Sequence, residues 1–399
     1  GDGLIVDTYA YNKTLPGPLL LANVGDEVIV HFKNELPEPT TVHWHGLRIS
    51  DQMDGNPRIK SPVKTGEEFL YTFVVPDAGT YWYHPHMKTN EQIEKGLYGA
   101  LVVRENDAPD YDAERYLTID DILLNGQQIA PFLQSHPEFM HGRSGNMLIT
   151  NGKTEELQLL AKEGQVERWH LVNPANARTM SLSIEGAKWR IIGVDGGRVE
   201  PYEVDRLQMA VGQRFDVEVS YDQAGMVTVN SFVLTIENDQ VVEVPLPIVN
   251  VQVASTGNAP RAIALPAAPV LEAREVNRDE TIIFDARQGT NGDIIWTLNG
   301  TSHNSAILFT FQKGDTARIL LRNLVGPEHP FHLHGQFFTI VDKGTAETSQ
   351  PGLKDTVLLP GQSEVEILAH FDNPGQWMAH CHILEHAELG MMATIVVED

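Results

Sequence analysis

Four His-X-His pairs are the residues of this chain whose types and spacing can do chemistry: His43/His45, His84/His86, His332/His334 and His380/His382. On a β-strand, residues i and i+2 point to the same face, so each pair sets two imidazoles side by side as adjacent metal ligands require. One pair alone reads equally as a hydrogen-bonded couple or a coincidence. Four pairs, holding eight of the 16 histidines, do not. Eight imidazoles exceed what one ion can take, so they imply a metal cluster. Cys381, the single cysteine, stands inside the last pair, and strand alternation sends its sulfur to the opposite face. On that side His329, His386 and Met391 are available. Two histidines, a thiolate and a weak thioether make a blue-copper electron-transfer site. A lone cysteine is ordinarily a small buried hydrophobe; inside HCHILEHAELGMM that reading is displaced. Met392, facing the other way, is expected in the core.

The elements that must position these residues are strands. Short alternating runs such as Glu27–Phe32 and Phe215–Val219 are bounded by Gly, Pro, Asn and Asp. The fold class is therefore all-β, of sandwich or barrel type. The spacing predicts one short helix, over Asn90–Leu97. The chain also repeats itself. YNKTLPGP, TNGKTEEL and LNGTSHNS each precede a Gly-led strand, and the interval from Gly25 to His43 recurs from Gly164 to Ser181 and from Gly314 to His332. DAGTYWYHPH, DQAGMVTVNSF and DNPGQWMAHCH close the three copies. Three copies of one β domain are expected at 1–106, 107–258 and 259–399, with a Pro- and Ala-rich linker at Ala259–Pro269. The middle copy carries Ser181 and Ser183, Asn230 and Phe232, where the outer copies carry histidines. Histidines needed only for folding would recur in all three copies. The cluster is thus expected where the first and third domains meet.

Composition narrows the class of function. At 399 residues, 42% hydrophobic and 21% charged, the chain has the make-up of a globular protein. Lys plus Arg is 29 against 54 Asp plus Glu, a net charge of −25, which opposes binding to nucleic acid or anionic lipid. No run approaches the ~20 apolar residues of a membrane span. One cysteine excludes an intrachain disulfide. Copper chemistry leads us to expect a periplasmic or secreted protein, although no export signal is present in this sequence.

The motifs HWHG, HPH, HPFHLHG and HCHILEHAELGM resemble those of three-domain multicopper oxidases of the bacterial laccase-like kind, and the resemblance spans the whole chain. It implies three cupredoxin-like Greek-key domains and four copper ions. His329, Cys381, His386 and Met391 would hold the type 1 copper; His43 and His332 the type 2. His45, His84 and His382 would hold one copper of the type 3 pair, and His86, His334 and His380 the other. The resemblance further implies one-electron oxidation of phenols or aromatic amines. Electrons pass through Cys381 to His380 and His382, and dioxygen is reduced to water. Oxidation of Cu(I), Fe(II) or Mn(II) is the alternative, and a non-catalytic scaffold derived from an oxidase the remote one. The 10 methionines form no rich segment, which favours organic donors over soft Cu(I). The oligomeric state is left open.

Two acids bear on proton delivery. Asp54, in MDGNP, matches a family acid that assists near the type 2 copper. Many bacterial relatives carry a glutamate just after the residue matching His386; here Ala387 stands there, with Glu388 next. His31, His136, His141, His170, His303 and His370 lack paired spacing and read as structural or surface, with His136 and His141 expected in a loop. Trp44, Trp82 and Trp377 read as core residues. Asp355 is expected to serve a turn.

Overall fold

The computed structural model describes residues 5–237, 240–269, 274–289, 294–303, 306–342 and 351–399. Strands dominate it. Between Leu20 and Arg104, a four-stranded sheet runs in the order Leu20–Asn23, Gly99–Arg104, Gly79–His84, His43–His45. It packs on a two-stranded sheet, Glu27–Lys33 with Glu68–Val74, through Trp44, Tyr71, Phe73 and Tyr81. Between Ala113 and Ala254 lie sheets of six and five strands, and between Arg278 and Glu398 two sheets of five. No sheet mixes strands from these three stretches among the described residues.

Period-two patterning explains the strands. In the third stretch Ala317, Ile319 and Leu321 alternate inward opposite Val365, Ile367 and Ala369, all fully buried. Each inner methylene removed from water stabilises by about 0.8 kcal/mol. Each pair of large sheets encloses its own apolar core, as layered β architectures do. Residues 255–269 have no regular structure.

The expected helix is present but shorter: α1 spans Thr89–Glu94, and Gly96 at φ +108° turns the chain away before Leu97. Two helices were not anticipated, α2 (His136–His141) and α3 (Leu384–Glu388). His136 and His141 are therefore the ends of a helix and not loop residues. Ser135 caps α2 by accepting from Glu138 N, and Pro137 suits its first turn. Both α1 and α2 pack on α3. A buried polar hub joins them: Arg143 Nε donates to Glu94 at 2.9 Å and its backbone N to Glu385 at 2.9 Å. Asn176 Nδ2 bridges Asn90 O and Glu385. No helix among the described residues is long and apolar enough to cross a membrane.

Candidate metal centres

Sheet register assembles the histidines in two steps. The His43–His45 strand pairs with Gly79–His84 so that His43 lies opposite His84; His329–Leu333 pairs with Gly375–Cys381 so that His332 lies opposite His380. The two half-sites then meet face to face. The His43 ring stacks on His334 at 3.8 Å between centroids, and His45 on His332 at 3.7 Å. Within the cluster, His45, His84 and His382 have ligand atoms within 4.8 Å of one another, as do His43, His86 and His334, and His332, His334 and His380. All are buried.

These rings fit metal. Buried imidazole nitrogens ordinarily find hydrogen-bond partners. Yet Nε2 of His43, His84, His86 and His332, Nδ1 of His45 and both nitrogens of His382 have none. The remaining two aim Nε2 at each other, His334 and His380, at 3.1 Å. The opposite nitrogens are fixed: His43 Nδ1 donates to Asp54 O at 2.8 Å, His84 Nδ1 to Pro85 O at 2.9 Å and His332 Nδ1 to Asp355 O at 2.9 Å. Burial, with neighbouring imidazoles, holds His84, His86, His334 and His382 well below the usual histidine range, and His380 at about 3. Those shifts favour the neutral imidazole, the form that binds a metal.

Cys381 is fully buried with its Sγ 3.4 Å from His329 Nδ1 and 3.6 Å from His386 Nδ1, on the face opposite the cluster. Burial pushes its thiol up, and Glu328 and Glu385 push it further. A thiolate at this position therefore calls for a bound cation. Met391 is fully buried and accepts from Cys381 N through its carbonyl. Met392, expected in the core, is only half-buried, at the first position of the strand Met392–Glu398. Trp296 packs on both histidines of this site, 4.2 Å from His386 and 5.1 Å from His329. The outer edge of His386 is covered: its Nε2 donates to Met140 O of α2 at 3.1 Å.

Two acids hold the cluster rings, and one of them was misread from the sequence. Asp54 Oδ2 lies 2.9 Å from His334 Nδ1 and its Oδ1 3.2 Å from His43 Nδ1. Asp355 is not a turn residue alone. Its Oδ1 lies 3.1 Å from His45 Nε2 and 3.4 Å from His332 Nδ1, tying a ring of the first stretch to one of the third. Burial pushes its carboxyl up, but the Arg214 guanidinium and the hydrogen bonds of Arg214, His332 and His45 outweigh that and hold it well below the carboxylate range. Arg214 comes from the middle stretch and grips Asp355 with Nη1 at 2.7 Å and Nη2 at 2.5 Å. Gly212, beside it, lies so close that a Cβ there would stand 3.0 Å from His382 and 3.1 Å from His45. The middle stretch thus supplies no paired ligand yet forms one wall of the cluster. Sequence reading missed Arg214 because nothing local marks it.

Other residues fall as follows. Glu388 Oε1 accepts from Thr89 N at 2.7 Å, so it caps α1 and is not aimed at the cluster; Ala387 is buried. His170 is buried against Asp216 and Thr80. Trp44, Trp82 and Trp377 are core residues, and Trp82 also packs on His84 at 4.1 Å and His45 at 5.1 Å. An open cleft of about 420 Å³ lies beside the cysteine site, lined by His141, Arg178, Thr179, Glu328 and Ile383. Glu328 precedes His329, and Ile383 N donates to Cys381 Sγ at 3.4 Å.

Multicopper oxidase domains match this chain over residues 2–108, 74–242 and 275–399. A multicopper oxidase of Mycobacterium tuberculosis is 31% identical over 98% of this chain and 83% of its own length. Laccase-5 of Trametes villosa is 29% identical over 98% and 85%. A solved Campylobacter jejuni multicopper oxidase, described as a metallo-oxidase, superposes with a TM-score of 0.85 at 27% identity, covering 100% of this chain and 88% of that one. The chain belongs to the multicopper oxidase family. It is an all-β, cupredoxin-like copper oxidoreductase with type 1, type 2 and type 3 copper, using dioxygen and a reducing substrate.

Proposed function

We propose that His329, Cys381, His386 and Met391 hold the type 1 copper and His43 and His332 the type 2. His45, His84 and His382 hold one type 3 copper; His86, His334 and His380 hold the other. The three repeats divide at 1–106, 107–258 and 259–399, with the cluster between the outer two. The observation that carries this reading is Cys381, whose sulfur lies among His329 and His386 while its chain neighbours His380 and His382 lie in the cluster.

Bound copper supplies one-electron exchange with a donor at the first site and four-electron reduction of dioxygen at the second. The chain supplies the path and the protons. Cys381 joins both clustered neighbours by peptide bonds, and His380 Nδ1 donates to Cys381 O at 2.8 Å, a second short link. Asp54 stands against His43 and His334 and can hand a proton inward; Ala387 cannot. Asp54→Asn keeps the hydrogen-bond shape but not the acid. It is expected to slow reoxidation by dioxygen about 10²–10⁴-fold, leaving reduction of the blue centre by donor unchanged in stopped flow. Unchanged reoxidation would move the proton role to another group.

The donors are phenols or aromatic amines, taken in the cleft of about 420 Å³, a volume within the ordinary range of small-molecule sites. Arg178 there is paired with Asp121, whereas Glu328 makes no ion pair among the described residues. The cleft is therefore net negative and favours cationic aromatic amines over anionic donors. Glu328→Gln should lower kcat/KM for a cationic phenylenediamine about tenfold, near 1.4 kcal/mol, with little effect on a neutral phenol. An equal loss for both donors defeats the charge argument. The Campylobacter neighbour favours a second reading, oxidation of Cu(I), Fe(II) or Mn(II). Oxygen uptake with a phenol, an aromatic amine and each ion, side by side, decides between them. We place the enzyme in the periplasm or outside the cell, as copper oxidation chemistry favours.

A further inference from the structure

Lys354, the residue before Asp355, is a lysine buried completely, and nothing in the chemistry above employs it. Its Nζ lies 3.0 Å from Asp195 Oδ2. Asp195 is buried too, in the turn between the strands Lys188–Val194 and Gly197–Glu203 of the middle stretch. It holds Arg214 at three points. Asp195 Oδ1 accepts from Arg214 N at 3.0 Å and lies 3.4 Å from Nη1, and Asp195 N donates to Arg214 O at 3.1 Å. Arg214 in turn grips Asp355. Because Lys354 and Asp355 adjoin in the chain, the contacts close on themselves. Lys354, Asp195, Arg214 and Asp355 form a ring of two positive and two negative charges, joined by ion pairs and one peptide bond.

The ring is pinned from several sides. Lys354 exchanges two backbone hydrogen bonds with Phe338, both 2.8 Å, and Gly196 N donates to Leu353 O at 3.2 Å. Arg214 Nε donates to Thr80 O of the first stretch at 2.8 Å. Asp195 is held at φ 21°, at the margin of a backbone region that side chains rarely adopt and that surrounding contacts must enforce. Four buried charges are no route to stability, since apolar residues of like volume often serve as well or better. Their geometry points to another role. Asp195 and Asp355 compete for one guanidinium: Arg214 Nη1 lies 2.7 Å from Asp355 Oδ1 and 3.4 Å from Asp195 Oδ1. Lys354 stands on the other oxygen of Asp195 and offsets that pull.

We propose that Lys354 is a positioning residue of the copper cluster. By holding Asp195 it leaves the Arg214 guanidinium to Asp355, and so fixes the carboxylate that orients His45 and His332. The proposal rests on the assignment of those two histidines as cluster ligands.

Lys354→Met in the copper-loaded, 399-residue protein tests it. Asp195 should then draw Arg214 away from Asp355. The type 2 resonance should change, and that copper should be held about 10–100-fold more weakly in a chelator titration, with the blue absorption unaltered. Asp195→Asn strands the lysine and should destabilise the fold as much, yet it removes the competing carboxylate. Its type 2 resonance and affinity should therefore stay native. Lys354→Met/Asp195→Asn, balanced in charge again, should recover the parent affinity to within about twofold. A native type 2 centre in Lys354→Met overturns the proposal. Equal loss of that centre in all three variants also overturns it, since the ring would then serve the fold alone. Should Lys354→Met not fold, Lys354→Gln keeps a hydrogen bond to Asp195 without the charge and is read in its place, with the same two outcomes. A parent protein lacking any type 2 resonance overturns the ligand assignment, and this proposal with it.

Discussion

Cys381→Ser is expected to bleach the intense blue absorption and cut donor oxidation to background. Only a thiolate gives that absorption, and serine offers a hard, protonated hydroxyl in its place. The cluster ligands lie on the other face of the strand, so most cluster copper should stay bound, seen by elemental analysis and by the type 2 resonance. Reduced cluster should still react with dioxygen once electrons are supplied chemically. A Cys381→Ser protein that stays blue sinks the type 1 assignment. A variant that loses all copper shows that the cluster and the blue site do not load independently.

Arg214→Met should be the most damaging change in a stretch that carries no paired ligand. It leaves Asp355 buried, charged and without its partner, a loss of about 3–5 kcal/mol in comparable buried pairs. It also frees the carboxylate that orients His45 and His332. Support of this kind is worth about 10–100-fold in metal affinity. Type 2 copper should therefore be lost first, with its resonance altered while the blue band persists. The double variant Arg214→Met/Asp355→Asn removes both charges and should recover much of the stability, though not the type 2 signal. Equal instability in single and double variants would mean that packing of the side chain, not its charge, is what matters.

Local and long-range features of this chain divide along a physical line. Strand periodicity is local, so the sequence alone set the His-X-His pairs on one face and Cys381 on the other. The repeat spacing, also local, set which strands carry them and showed the middle copy to lack them. Short helices escaped notice: α2 and α3 run six and five residues and are held by tertiary contacts through Arg143 and Asn176 more than by their own propensity. What joins residues far apart in the chain was decided only by the tertiary structure. Asp355 reads as a turn residue until His45, 310 positions away, is seen against it. Arg214 reads as one more strand residue until the three stretches close around it. Charge and hydrogen bonding act through space, and a single sequence gives no distance between positions that fold together. The sequence by itself marked the paired histidines, Cys381 and Asp54; only the packing of the three stretches decided that Asp355 and Arg214 stand behind the rings.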